Sequence, residues 1–184
     1  MFRGIVISLV LATCFIGAAC VASAQNVSGR TQDLVAQLDK TKHKVKDKRG
    51  THFESYTDVR NEASTRKLGD LAGHYVSRDM SDLFMDLTVN SDGTATAAGT
   101  TYEMVGENSV RMSYTFKGRV DGALLTGTRT LENGKTGPFE AVFVNRTVHE
   151  GTTPAEATVT YQGFGLGYLE QNENWTNRVF MEKK

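Results

Sequence analysis

The sequence predicts a mainly β protein: an antiparallel up-and-down β-barrel of about eight strands, preceded by a short N-terminal helix and linker. Three observations predict it. Apolar and polar residues alternate with period two through most of the chain after Leu71. Turn sequences rich in Gly, Asn and Asp punctuate that stretch at roughly 8–14-residue intervals. Eighteen glycines stand against two prolines, and closing a small barrel needs bends that leave the ladder hydrogen bonds intact. The competing architectures are a β-sandwich and a half-barrel capped by the helix.

The elements follow in order. Gly73–Arg78 is the first strand. Leu83, Met85, Leu87 and Val89 then alternate with Phe84, Asp86 and Thr88, and Asn90-Ser91-Asp92-Gly93 is a hairpin turn with Gly93 at positive φ. Thr94 to Glu103 returns, and Gly106 to Ser109 turns the chain again. Val110, Met112, Tyr114 and Phe116 alternate with Arg111, Ser113 and Thr115. Ala123 to Leu131 leads to a turn at Glu132-Asn133-Gly134-Lys135. Phe139 to Asn145 is apolar on both faces and is therefore expected to be covered on both. A polar loop passes Gly151 and Pro154. Thr158–Leu169 and Trp175–Glu182 complete the set. Glycines 99, 118, 122, 127, 163, 165 and 167 supply kinks for closure. In such a barrel the last strand pairs with the first, which suggests the Arg178 guanidinium closing one end by stacking on the Tyr75 ring. Simple alternation would instead point Arg178 to solvent.

The N-terminal third has a different character. Arg3 precedes an uncharged run from Gly4 to Val21, and Ala22-Ser23-Ala24 is the small-x-small pattern of a cleavage site. Residues 1–24 are expected to be a signal peptide and the chain to be exported, to a periplasm or the exterior. Both cysteines, Cys14 and Cys20, lie inside that segment. The alternative to cleavage after Ala24 is a lipoprotein anchored through Cys20. Residues 25–69 are expected to form a helix, N-capped by Thr31 and carrying Leu34, Val35 and Leu38 on one stripe, followed by a basic, partly flexible linker. The barrel domain occupies 70–184.

Leu71-Ala72-Gly73-His74-Tyr75 at the start of the first strand resembles the Gly-x-Trp opening of lipocalin- and avidin-type barrels, with Tyr75 in place of Trp. The Asp92-Gly93 turn and the basic, aromatic last strand (Trp175, Arg178, Phe180) are similar too. The resemblance covers the rhythm of residues 71–182. It implies an eight-stranded calyx that binds a small ligand and is not an enzyme.

The residues themselves single out no catalytic set. Gly-x-Ser-x-Gly is missing, and the histidines at 43, 52, 74 and 149 are scattered. No metal or other cofactor is expected: Asp79, Asp82 and Asp86 are too few donors for a calcium cage. Gly163-Phe164-Gly165-Leu166-Gly167 lies between strand-like residues and reads as a bend with Phe164 and Leu166 on one face, not a nucleotide loop. The sequons at Asn26, Asn145 and Asn174 are at the level chance supplies.

Two functions lead, ahead of an enzyme, which no residue pattern specifically supports. In the first, the lumen holds a small apolar ligand against Tyr75, Met85, Met112, Tyr114, Phe116, Phe143 and Phe180. In the second, a structural or interaction protein docks on an anionic envelope surface through a basic arm of Lys40, Lys42, Lys44, Lys46, Lys48 and Arg49. A formal net charge of zero gives no general attraction to nucleic acid. Oligomeric state is left open.

Overall fold

The computed structural model describes residues 27–48, 51–106, 108–171 and 176–184. The expected signal peptide with both cysteines, the Asn26 and Asn174 sequons, Arg49 and Trp175 lie outside the described residues. A helix, α1, covers 27–38. It is followed by β1 (Lys40–Lys48), β2 (Thr51–Ala63), α2 (Leu68–Leu71), β3 (Gly73–Ser77), β4 (Phe84–Val89), β5 (Thr94–Val105) and β6 (Asn108–Asp121). Then come β7 (Leu124–Leu131), β8 (Thr136–Gly151), a 3-10 turn at Pro154–Glu156, β9 (Thr158–Gln171) and β10 (Thr176–Lys183).

The strands form one sheet in the order β1-β2-β8-β7-β6-β5-β4-β3-β10-β9, and β9 pairs again with β8. Strands β3 to β10 therefore close on themselves as an eight-stranded, antiparallel up-and-down barrel. The last strand does meet the first: Met181, Glu182 and Lys183 pair with Ser77, Val76 and Tyr75. Gly93 has φ +82° in the first hairpin turn, as the Asp-Gly sequence requires.

The barrel interior is filled across its middle. Tyr75, Met85, Leu125, Ala141, Phe143, Leu166 and Met181 are each 0% exposed, so no water-sized space touches them. Tyr75 and Phe143 pack with ring centroids 6.2 Å apart, and Phe143 stacks on Phe164 at 6.4 Å. At one end the Tyr75 hydroxyl donates to the Leu71 carbonyl of α2, while Arg66 lies 3.9 Å over the Phe164 ring. That end is capped.

Strand β8 runs for 16 residues because it has two partners on one edge. Its first part pairs with β7, and its second part, from Val144 to Gly151, pairs with β2. Val142 and Val144 face outward and are still 0% exposed, so the outside of the barrel is covered there. Register places Gly167 opposite Val142 on that outer face. Leu38 packs on Gly167, the Arg178 Nε donates to the Gln37 carbonyl at 2.6 Å, and Arg30 pairs with Glu140.

Three expectations need correction, two in the N-terminal region and one for barrel closure. The basic run is not a helix end and linker: it is strand β1, paired with β2 over its whole length from Lys40↔Val59 to Lys48↔Thr51. Its alternation of Lys with Thr, His, Val and Asp is a period-two strand pattern, which the density of charge obscured. Thr31 is not an N-cap. It lies inside α1 and its hydroxyl donates to the Val27 carbonyl one turn earlier, at 2.8 Å. Arg178 does not stack on Tyr75. It is exposed on the outer face and bonded to α1, whereas Tyr75 faces the core; Tyr75 pairs with Lys183, five residues further on.

Candidate functional site

A cup of about 710 Å³ opens at the uncapped end of the barrel, where β8 and β9 part, and is lined both by inward residues (Glu103, Arg129, Phe139, Tyr168, Glu170) and by outward ones at the rim (Pro138, Glu140, Leu169). Its position follows from the strand pattern. Alternation along β7 puts Leu125, Gly127, Arg129 and Leu131 on the inward face, and along β9 puts Phe164, Leu166, Tyr168 and Glu170 there. Arg129 and Glu170 are thus charged residues at positions where the neighbouring inward residues are apolar. Thr101 and Glu103 come inward from β5 by the same rule.

These four side chains form one network. Arg129 Nη2 donates to Glu103 Oε1 at 3.1 Å and its Nη1 to the Thr101 hydroxyl at 3.3 Å. Thr101 in turn donates to Glu170 Oε1 at 3.2 Å. Lys135 reaches the second oxygen of Glu103 at 3.0 Å from the rim. Glu103 is therefore held by two cations. Among the described residues Glu170 has no cation within ion-pair distance; its one hydrogen bond comes from a neutral hydroxyl.

Burial pushes the Glu170 carboxyl above the usual carboxylate range. Arg129 and the Thr101 bond pull it down, and Glu103 adds to the rise. Tyr168 and Tyr114, buried beside this network, are pushed up as well, chiefly by burial. Phe139 and Tyr168 stand 5.2 Å apart as an aromatic floor, and Met80 and Met104 are exposed at the rim. The cup thus combines an apolar floor with a few convergent polar groups, one of them an unpaired carboxylate. That is the composition of small-molecule sites.

The lumen residues singled out from sequence divide three ways. Tyr75, Met85, Phe116 and Phe143 are packed core with no adjoining space. Met112 and Tyr114 lie at the cup end: Met112 pairs with Thr101, and the Tyr114 ring is 5.7 Å from Arg129. Phe180 faces outward, beneath Arg146. Of the other candidates, Lys40, Lys42 and Lys44 are exposed on β1, while the side chains of Lys46 and Lys48 lie outside the described residues. The three aspartates serve separate contacts. Asp82 accepts from the Tyr102 hydroxyl, Asp86 lies 2.6 Å from His74, and Asp79 is on the outer wall.

Sequence reasoning missed Arg129, Glu103 and Glu170. The signal was present: a charge standing two residues from Leu131, and another two residues from Tyr168, on faces that alternation assigns to the interior. Comparison with family models, curated proteins and solved structures finds no match.

Proposed function

We propose that the protein is an exported small-ligand-binding β-barrel whose ligand sits in the open cup, not in the packed middle of the barrel. The apolar body of the ligand lies against Phe139 and Tyr168, and a hydrogen-bond donor or cationic group meets Glu170. The observation that carries this reading is the unpaired, mostly buried Glu170 carboxylate at the base of the cup. A buried carboxylate offset only by one hydroxyl and by a nearby guanidinium committed to another partner costs free energy, and a donor supplied by a ligand offsets that cost. Arg129 is already committed to Glu103 and Thr101, so the free recognition capacity of the cup is for donors, not for anions. Export rests on the leader pattern of residues 1–24.

Native mass spectrometry of protein purified from its own source tests both parts. The mass should lack residues 1–24 and carry a small-molecule adduct. Glu170→Gln purified in the same way should have lost the adduct. A bare mass for the parent, or an adduct retained by the variant, overturns the ligand reading. A mass that includes the leader overturns the export reading.

A second reading, docking on an anionic envelope surface through the basic run, has one observation in its favour: Lys40, Lys42 and Lys44 fall on one face of β1 and are exposed. It predicts binding to anionic vesicles that depends on those lysines.

A further inference from the structure

A second cavity, of about 370 Å³, lies outside the barrel, where the β1–β2 hairpin and the end of α1 meet β8, β9 and β10. Five cations line it: Lys40 and Lys42 from β1, Arg78 just beyond β3, Arg146 from β8 and Arg178 from β10. Two carboxylates, Asp79 and Glu150, also face it. Among the described residues, none of the five cations has a carboxylate within ion-pair distance.

The guanidinium groups are held in place by the wall itself. Arg78 lies 3.7 Å over the Tyr161 ring and Arg146 lies 4.0 Å over the Phe180 ring. The two rings meet edge to face at 6.3 Å. A guanidinium stacked on a ring keeps its N–H edge available for an acceptor. Arg146 Nε donates to Asn61 Oδ1 at 2.9 Å, and Arg178 Nε to the Gln37 carbonyl at 2.6 Å. Both arginines are thereby positioned by their inner nitrogen. Burial pulls the Arg146 guanidinium down to about 10. The adjacent Lys42 ammonium, burial and the Arg178 charge lower Lys40, with Asp79 opposing. Like charges crowded and partly buried are unfavourable unless an anion joins them.

We propose that this cavity binds a phosphorylated small molecule, a phosphate or diphosphate ester, at a site separate from the cup. Forked guanidinium groups match phosphoryl oxygens in geometry. Five cations against two carboxylates leave more positive charge than a monovalent anion neutralises. The volume exceeds that of a bare ion, and the remaining wall includes Leu38, Val59 and Val148, apolar surface suited to the body of an ester.

Isothermal titration of the full chain with inorganic pyrophosphate, at constant ionic strength, tests the site. The expected result is saturable binding, weakened at least tenfold in the double variant Lys42→Gln/Arg78→Gln. Both of those side chains are exposed, so the fold should tolerate their replacement. Lys117→Gln, an exposed cation on β6 away from the cavity, should bind as the parent does. No saturable binding, or equal weakening by Lys117→Gln, overturns the proposal. Vesicles of phosphatidylglycerol identify the source of the phosphoryl group. Vesicle binding that pyrophosphate displaces supports the site with a lipid headgroup as occupant. Vesicle binding that pyrophosphate leaves untouched overturns the proposal in favour of general surface charge.

Discussion

The Leu38 side chain occupies the space that a β-carbon on Gly167 would need, its Cδ1 coming within 2.5 Å of that position. Two further outward glycines of β9 are used in the same way. Tyr161 folds over Gly163 and the Phe180 ring lies over Gly165. A strand with glycine at three alternate outer positions lets a helix residue and two aromatic rings approach the backbone directly. This is how α1 and the wall of the cationic cavity are seated.

Gly167→Ala should therefore push Leu38 out and loosen α1. Overpacking of this kind costs about 1–3 kcal/mol, measurable as a lower denaturation midpoint in urea. Leu38→Ala should also destabilise, by leaving a cavity where the buried Leu38 side chain packs on Gly167. In the double variant the added methyl no longer meets Leu38, so the loss should be less than the sum of the two. Additive losses would show that the two side chains do not compete for the same space.

The β1–β2 hairpin should behave as part of the sheet and not as a mobile arm. From Tyr56 to Ala63, β2 has β8 on one side, and from Thr51 to Val59 it has β1 on the other. Its amides should resist hydrogen exchange nearly as well as those of the barrel, while β1, with one neighbour, exchanges faster. Exchange of Thr57–Ala63 at the rate of an unstructured peptide would contradict the pairing with β8.

What could be read from the sequence depended on whether one face of an element alone decided its position. Met112, Tyr114 and Phe116 alternate with exposed polar residues, so both the strand and its inner face were legible. Closure by β10 against β3 followed from strand count and topology. Phe180 was misassigned because Val179, Phe180 and Met181 are all buried, and a strand covered on both sides does not reveal which side is the lumen. Arg178 depends on α1, a distant element whose docking no local pattern encodes. Arg129 and Glu170 are legible by alternation, but charge is ordinarily a mark of the outside. In this barrel the polar end of the lumen breaks that rule, and there the candidate site lies.

The pH dependence of stability gives the sharpest check on the cup. In the folded chain the Glu170 carboxyl is raised above its ordinary value, first because it is buried. An unfolded glutamate titrates near about 4.3. The folded state therefore holds this proton more tightly than the unfolded state does. Its contribution to stability is fully present below the unfolded value and is lost as pH rises through the folded one. Glu170→Gln removes the titration while keeping the size of the side chain and an acceptor for Thr101. Parent and variant should have similar denaturation midpoints in acid, and the variant should become the more stable of the two as pH rises towards neutrality. A difference that does not change with pH, or a variant less stable at neutral pH, would mean that the carboxylate is already satisfied in the folded chain. If the variant is more stable at neutral pH and has also lost its bound molecule, the buried charge is kept at a cost to stability for the sake of the ligand. Natural proteins commonly tolerate such a cost at a binding site.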